Sequence, residues 1–155
     1  MTAEHLKSPV RSFDQLGGTL ETLVVDGQTL YIKFLTEISD RQTGLVGVES
    51  MAPNQGVLFV WDQTKLPDNP DPHLAPACIM SNMSFAIVAV FGDGQGKIVQ
   101  VSPILEPESE PHLCPQPARW MLELHPDTLG SLKTSFQNNT RILDEATLAK
   151  YGLGA

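Results

Sequence analysis

The strongest hydrophobic pattern lies in residues 78–103, which predict a β-hairpin at the centre of the fold. Alternate positions of its first strand are apolar on both faces, with Phe85, Ile87, Ala89 and Phe91 on one and Ala86, Val88 and Val90 on the other. A strand of this kind must be covered by protein on both sides. The segment 92–96 (GDGQG) supplies the turn, since glycine accepts positive φ. In the returning strand, 97–102, we expect Val99 and Val101 to share one face.

Further strands are predicted on either side of this hairpin. Residues 20–25 and 29–35 form a second hairpin about Asp26-Gly27, a strong two-residue turn signal, with Leu30, Ile32 and Phe34 facing the core. Residues 57–61 and 119–124 are also predicted strands. In the latter, Trp120, Leu122 and Leu124 would face inward, and Arg119 and Glu123 outward. Residues 141–143 complete the set as a short last strand.

Short helices are predicted at the flanks of these strands. Ser39 and Gln42 have the spacing of a capping box, so we expect a helix that begins at Ser39 and ends near Gly44. A second helix is predicted over 126–135, and a third over 145–151, capped by Asp144 and closed by Gly152. Two proline-rich segments, 62–77 and 103–117, are predicted to be loops.

The resulting fold class is mainly β, a β-sandwich or barrel-like domain with two or three short flanking helices. We divide the chain into an irregular N-terminal arm (1–18), a single β-rich domain (19–143) and a C-terminal helical extension (144–155). The 155 residues are enough for one domain with one sizeable core.

Charge narrows the set of partners. The formal net charge is −8, which argues against nucleic acid and acidic membranes, because both require a basic surface. The first 18 residues lack the apolar core of a signal peptide, and no run reaches the ~20 apolar residues of a membrane span. We therefore expect a soluble, acidic protein made in the cytoplasm, with a virion as the other location considered, and no cofactor.

Three landmarks occur in order along the chain. Residues 41–45 (RQTGL) precede 56–61 (GVLFVW); Met80-x-Asn82 precedes the apolar strand that ends at Phe91; Cys114-Pro115 precedes 118–124 (ARWMLEL). This arrangement resembles the domain of unknown function 192 family over residues 30–142. The resemblance implies a compact β-rich fold and brings no established activity.

The departures from the family pattern concern polar residues. Val48, Ser81 and Val88 stand where the family has arginine, lysine and aspartate. If those three residues build a charged pocket in relatives, this chain lacks it. The polar residues retained at matching positions are Asn82, Arg119 and Glu123, which are the candidate ligand-binding residues. An ion pair of Arg119 with Glu123, four positions apart on one strand face, is the structural alternative.

A second constellation lies in or beside the proline-rich loops and consists of His73, Cys78, His112 and Cys114. Two histidines and two cysteines would complete a tetrahedral zinc site. The spacings, His-x4-Cys and His-x-Cys, are loose, and a pair of small buried cysteines beside two loop histidines is the competing interpretation.

Two hypotheses of function follow. The preferred one is a non-catalytic module that binds protein, as a homo-oligomer or as a structural component of a larger, virion-like assembly. The alternative is a small-ligand or zinc-binding protein, with enzymatic activity left open, whose site lies between the two proline-rich loops. No catalytic residues are assigned.

Overall fold

The computed structural model describes residues 11–60, 77–114, 116, 118–131 and 136–153. Within them the strands are β1 (Thr19–Val25), β2 (Gln28–Leu35), β3 (Gln55–Val60), β4 (Ala77–Cys78), β5 (Val88–Gly92), β6 (Ile98–Val101), β7 (His112–Leu113) and β8 (Trp120–Leu124). The helices are α1 (Ile38–Thr43), α2 (Pro126–Ser131) and α3 (Glu145–Lys150), and a 3-10 turn spans Phe13–Gln15. The fold is mainly β with short flanking helices, so the predicted fold class is confirmed.

The large sheet has six strands in the order β1-β2-β3-β8-β5-β6. Its neighbours are antiparallel, with the exception of β2 and β3, which run parallel. The connection from β2 to β3 returns the chain to the starting end of the sheet and contains α1. Strands β4 and β7 pair with each other in a separate antiparallel sheet.

Apolar side chains cover both faces of the large sheet and form two cores. The cysteine-side core includes Phe13, Leu45, Cys78, Met80, Ile87, Phe91, Cys114 and Met121. The helix-side core includes Leu30, Ile32, Phe34, Leu58, Val90, Trp120, Leu122 and Leu148. Alternation along β5 sends Ile87, Ala89 and Phe91 to the first core and Val88 and Val90 to the second, as the sequence pattern predicts.

Both predicted hairpins are present, and of the three glycines in the predicted 92–96 turn Gly96 alone has a positive φ, of 78°, whereas Gly92 belongs to β5. Asp26 and Gly27, between β1 and β2, have φ of 50° and 75°, the left-handed conformation that a two-residue turn requires. Gly92 ends β5 against the indole of Trp120. An added Cβ there would lie 1.7 Å from a ring carbon, so only glycine fits this contact.

The face assignment in the returning strand β6 is wrong. Val99 packs against the cysteine-side core, whereas Val101 packs against the helix-side core together with Ile98. The cause is a β-bulge: Phe91 pairs with Gln100, but Gly92 pairs with Ile98, which leaves Val99 unpaired. One extra residue in a strand reverses the alternation beyond it.

Two local predictions at the flanks are also wrong. Helix α1 has Glu37 as its N-cap, with no side-chain cap, so Ser39 lies inside the helix, where its carbonyl accepts a bond from Thr43 Oγ1. Residues 141–143 do not form a strand; their pairing is limited to an isolated bridge between Arg141 and Lys97. The third helix is as predicted: Asp144 accepts a hydrogen bond from the Thr147 amide at 2.8 Å, and Gly152 has φ of 65°.

Parts of the predicted terminal segments pack against the sheet. In the first segment, Phe13 and Leu16 are buried in the cysteine-side core, and the Arg11 amide donates to the Gly47 carbonyl at 2.8 Å. In the last segment, Leu148 and Leu153 are buried in the helix-side core. The division into arm, domain and extension stays a prediction. Residues 62–76 of the first proline-rich segment lie outside the described residues.

Candidate functional site

Glu123 is buried, which overturns the prediction that it faces outward. Its side of β8 faces the cysteine-side core, and the residue is only 4% exposed. Its neighbours across the sheet are Val57 on β3 and Ala89 on β5, both fully buried. As predicted, Glu123 lies on the face of β8 opposite to Trp120, Leu122 and Leu124. Both faces of this central strand are covered, so the Glu123 carboxyl lies in apolar surroundings.

The partner of Glu123 comes from the small sheet above it. Strand β4 places Cys78 so that its thiol donates to Glu123 Oε2 at 3.0 Å. The Met80 sulfur lies 3.8 Å from the same thiol. Strand β8 lies between β3 and β5, so this contact connects the small sheet to the middle of the large one.

Burial controls the protonation of this pair. Burial raises the pKa of Glu123 to about 7, and the bond from Cys78 partly opposes that rise. Burial, followed by the neighbouring carboxyl group, raises the pKa of the Cys78 thiol as well. A thiol in such surroundings is not ionised at neutral pH and is a poor nucleophile. The pair is therefore suited to holding a proton within the core.

The other members of the predicted zinc set have separate partners. His112 lies opposite Cys78 in the small sheet, but its Nε2 is 3.0 Å from Gln100 Oε1, and its ring is 6.0 Å from that of Phe91. Cys114 is buried and donates to the Gln116 carbonyl at 3.3 Å; burial raises the pKa of its thiol. Both cysteines are free.

The metal prediction therefore finds no support in this geometry. The described segments contain no group of three or more His, Cys, Asp or Glu residues arranged to hold a metal ion. His73, the fourth predicted ligand, lies outside the described residues. The structure does bring the two loops together at Cys78 and His112, but it directs their side chains to different partners.

Asn82, Arg119 and Glu123 do not form one ligand site among the described contacts. Asn82 is exposed, with φ of 62°, and its backbone amide donates to Glu108 Oε1 at 2.8 Å. Arg119 is half-buried, and its Nη1 has no hydrogen-bond partner among the described residues. The ion pair of Arg119 with Glu123 is not found in that same set.

The three departures from the family pattern do not share a pocket either. Val48 is buried in the cysteine-side core, and Val88 is buried in the helix-side core, on the opposite face of the sheet. Ser81 is exposed. Replacing polar residues at these positions therefore changes three separate environments in this chain.

A groove lies between the β5–β6 turn and α3. Lys97, Arg141 and Glu145 line it, together with the backbone of Gly94 and the side chain of Leu148. The groove therefore combines two cationic side chains with one anionic side chain.

The sequence pattern places Tyr31 on the outward face of β2, but the exposed apolar residues of β1 beside it were not predicted. Leu20 and Val24 on β1 are 50% and 69% exposed, and Tyr31 beside them on β2 is 40% exposed. All three lie on the cysteine-side face of the sheet, beyond the end of that core. The signal was present in TLETLVV, where Leu20 and Val24 are out of phase with the buried Leu23 and Val25.

The two edges of the large sheet differ. Beyond β6, the chain continues the hydrogen bonding: the Ile98 amide donates to Thr140, and the Asn139 amide donates back to Ile98. At the other edge, no backbone hydrogen bond reaches the free side of β1 from any residue that the structure describes. Among the residues that the structure describes, the seven-residue strand β1 is therefore an open edge.

Comparison with known proteins gives a family and a fold. The profile of the DUF192 family, described as Uncharacterized ACR, matches residues 21–142. A candidate transcription regulator from Sinorhizobium meliloti 1021 is similar in structure, with 22% identity and a TM-score of 0.63 over 77% of this chain and 88% of that one. A protein of unknown function from Novosphingobium aromaticivorans has 16% identity and a TM-score of 0.60, over 86% and 91%. These two likenesses concern the fold alone.

No curated protein matches the chain. Within the described part of the molecule, no helix has the length and apolar character needed to cross a membrane.

Proposed function

This chain belongs to the DUF192 family, and from its open sheet edge we propose that it is a non-catalytic module that binds protein by strand addition at β1. In strand addition, an extended segment of the partner pairs with an exposed edge, and side chains beside that edge provide specificity. The proposal assigns β1 to the backbone pairing and the surface of Leu20, Val24 and Tyr31 to side-chain contacts.

The observation that carries the proposal is that none of the described residues pairs with the free side of β1. Proteins block edge strands with proline, charged side chains (lysine above all), bulges, short length or a covering helix or loop. The seven residues of β1 contain no proline and no lysine, and they pair with β2 in one continuous register. The charged residue of β1, Glu21, lies on the helix-side face and is bonded to Lys150 and Tyr151.

The buried polar groups favour a structural role over a catalytic one. The Cys78 thiol and the Glu123 carboxyl are enclosed and bonded to each other. The His112 ring is hydrogen-bonded through its Nε2 to the Gln100 side chain. A nucleophile needs an accessible position and a lowered pKa, and both cysteines have the opposite properties.

Site-specific photo-crosslinking in cells tests this function. A photoreactive residue replaces the exposed Thr22 of β1 in one variant and the exposed Glu106, outside the sheet edge, in a control variant. We expect an adduct with a defined protein segment from position 22, weaker when Val24→Lys is added and unchanged with Thr29→Lys. Equal crosslinking from positions 22 and 106, or an adduct insensitive to Val24→Lys, would contradict the proposal.

A further inference from the structure

The free edge of β1 has a defined hydrogen-bonding phase. The two-residue turn makes Val25 and Gln28 a directly opposed pair that exchanges both backbone bonds, and such pairs recur at every second residue. Residues 19, 21, 23 and 25 therefore direct their amide and carbonyl groups toward β2. Leu20, Thr22 and Val24 direct theirs to the open side. The same three residues carry side chains on the exposed face.

This phase makes β1 complementary to itself. If two copies of TLETLVV run antiparallel about a two-fold axis at Thr22, Leu20 lies opposite Val24 of the other copy, and Thr22 lies opposite Thr22. Every outward-directed residue then meets another outward-directed residue, which gives about six backbone hydrogen bonds. The exposed face gains two leucine–valine pairs and a central threonine pair, the kinds of pair that stabilise sheets.

Charge also favours this pairing over general association. With a net charge of −8, copies of the chain repel each other at most surfaces. At β1 the charge is locally balanced, since Lys150 Nζ lies 2.9 Å from Glu21 Oε2, and the Tyr151 hydroxyl donates to the same oxygen at 2.7 Å. In the paired arrangement the two Glu21 residues are diagonal neighbours, and each carboxylate is neutralised by the Lys150 of its own subunit.

We propose that the partner of β1 is a second copy of this chain, joined through antiparallel β1–β1 pairing centred on Thr22. The two six-stranded sheets then become one continuous twelve-stranded sheet. A two-fold interface of this type is isologous, because the same strand is used by both subunits. This inference rests on the proposed protein-binding function and names its partner.

Mass measurement on the full chain tests the dimer. We expect native mass spectrometry and sedimentation to give twice the 16.9 kDa of one chain. Val24→Lys should raise the dimer dissociation constant by about tenfold or more, because a lysine at the edge opposes further pairing. Thr29→Lys, also at an exposed position but on β2, is the matched control and should leave the dimer intact. Circular dichroism confirms that both variants are folded.

A disulfide trap tests the register. Thr22→Cys should give a covalent dimer under mild oxidation, since the Cα atoms of directly opposed residues lie within disulfide range. Thr29→Cys should not. A monomeric wild type, a dimer insensitive to Val24→Lys, or equal trapping by both cysteine variants would overturn the inference.

The two proposals fail separately. A monomer whose position 22 still crosslinks to a different protein excludes the self-pairing and leaves strand addition in place. A monomer whose position 22 crosslinks to nothing above the control excludes both.

Discussion

The thiol of Cys78 lies 3.0 Å from the Glu123 carboxyl at the centre of the cysteine-side core. This bond connects β4, in the small sheet, to β8, between β3 and β5 of the large one. It also places a titratable group where water cannot solvate its charge. The stability of the protein should therefore depend on pH in a manner that this pair determines.

Wild-type stability should fall as the pH rises from about 4.5 to about 7. Burial raises the pKa of Glu123 from 4.5 to about 7, so in this interval the unfolded chain releases a proton that the folded chain retains. The loss should total about 3 kcal/mol and level off above the folded pKa. Urea denaturation at a series of pH values measures the slope.

The matched variant for this prediction is Glu123→Gln, which keeps the shape and cannot ionise. Its free energy of unfolding should be nearly flat across the interval. The bond to Lys150 lowers the pKa of Glu21, and the bond to Thr147 lowers the pKa of Asp144. The stability that these two groups contribute is therefore lost at more acidic pH than the interval in which Glu123 titrates. Parallel slopes in wild type and variant would assign the pH dependence to other groups.

Removing the thiol donor should destabilise the protein. Cys78→Ala leaves the buried carboxyl of Glu123 without its thiol donor, and we expect a loss of about 1–3 kcal/mol in the free energy of unfolding. Cys114→Ala is the control, because the hydrogen bond that the structure describes for that sulfur goes to the Gln116 carbonyl and to no ionisable group. In the Glu123→Gln background the cost of Cys78→Ala should change, and this coupling is measured by a double-mutant cycle. Additive effects would mean that the bond contributes nothing.

The contact between Gly92 and Trp120 should tolerate no side chain. Gly92→Ala places a methyl group 1.7 Å from the indole, so the ring must move, and the bond from its Nε1 to the Asp93 carbonyl would be disturbed. We expect a loss of about 1–3 kcal/mol in thermal or urea denaturation. In a Trp120→Phe background the cost of the alanine should shrink. An equal cost in both backgrounds would place the strain elsewhere.

Local signals in the sequence were sufficient for the hairpins and for the last helix. Asp26-Gly27 fixes its own turn, and Asp144 caps its own helix, because the interacting atoms are a few residues apart. Ser39 shows the limit of such signals. Its capping-box spacing with Gln42 is real, but the observed N-cap is Glu37, two residues earlier, and it makes no side-chain bond.

The candidate site was harder to predict because it depends on what covers each face. Alternation gives the side of the strand on which Glu123 lies, but not that β4 and β7 lie above that side. Strand β7 comes from a segment whose composition predicts a loop, and β4 lies where the other predicted loop meets the predicted hairpin. The bulge at Val99 was missed for a related reason, since it depends on the register with Phe91 and Gly92 across the hairpin.

The position of β8 has a consequence for biosynthesis. This strand pairs with β3 on one side and β5 on the other, yet it is the last of the strands to be made. Until residues 120–124 leave the ribosome, the β1–β3 and β5–β6 parts of the sheet each expose an apolar edge and have no common neighbour. Completion of the fold thus waits until β8 has been made, and before that point the nascent chain has only its local hairpins to shield apolar surface.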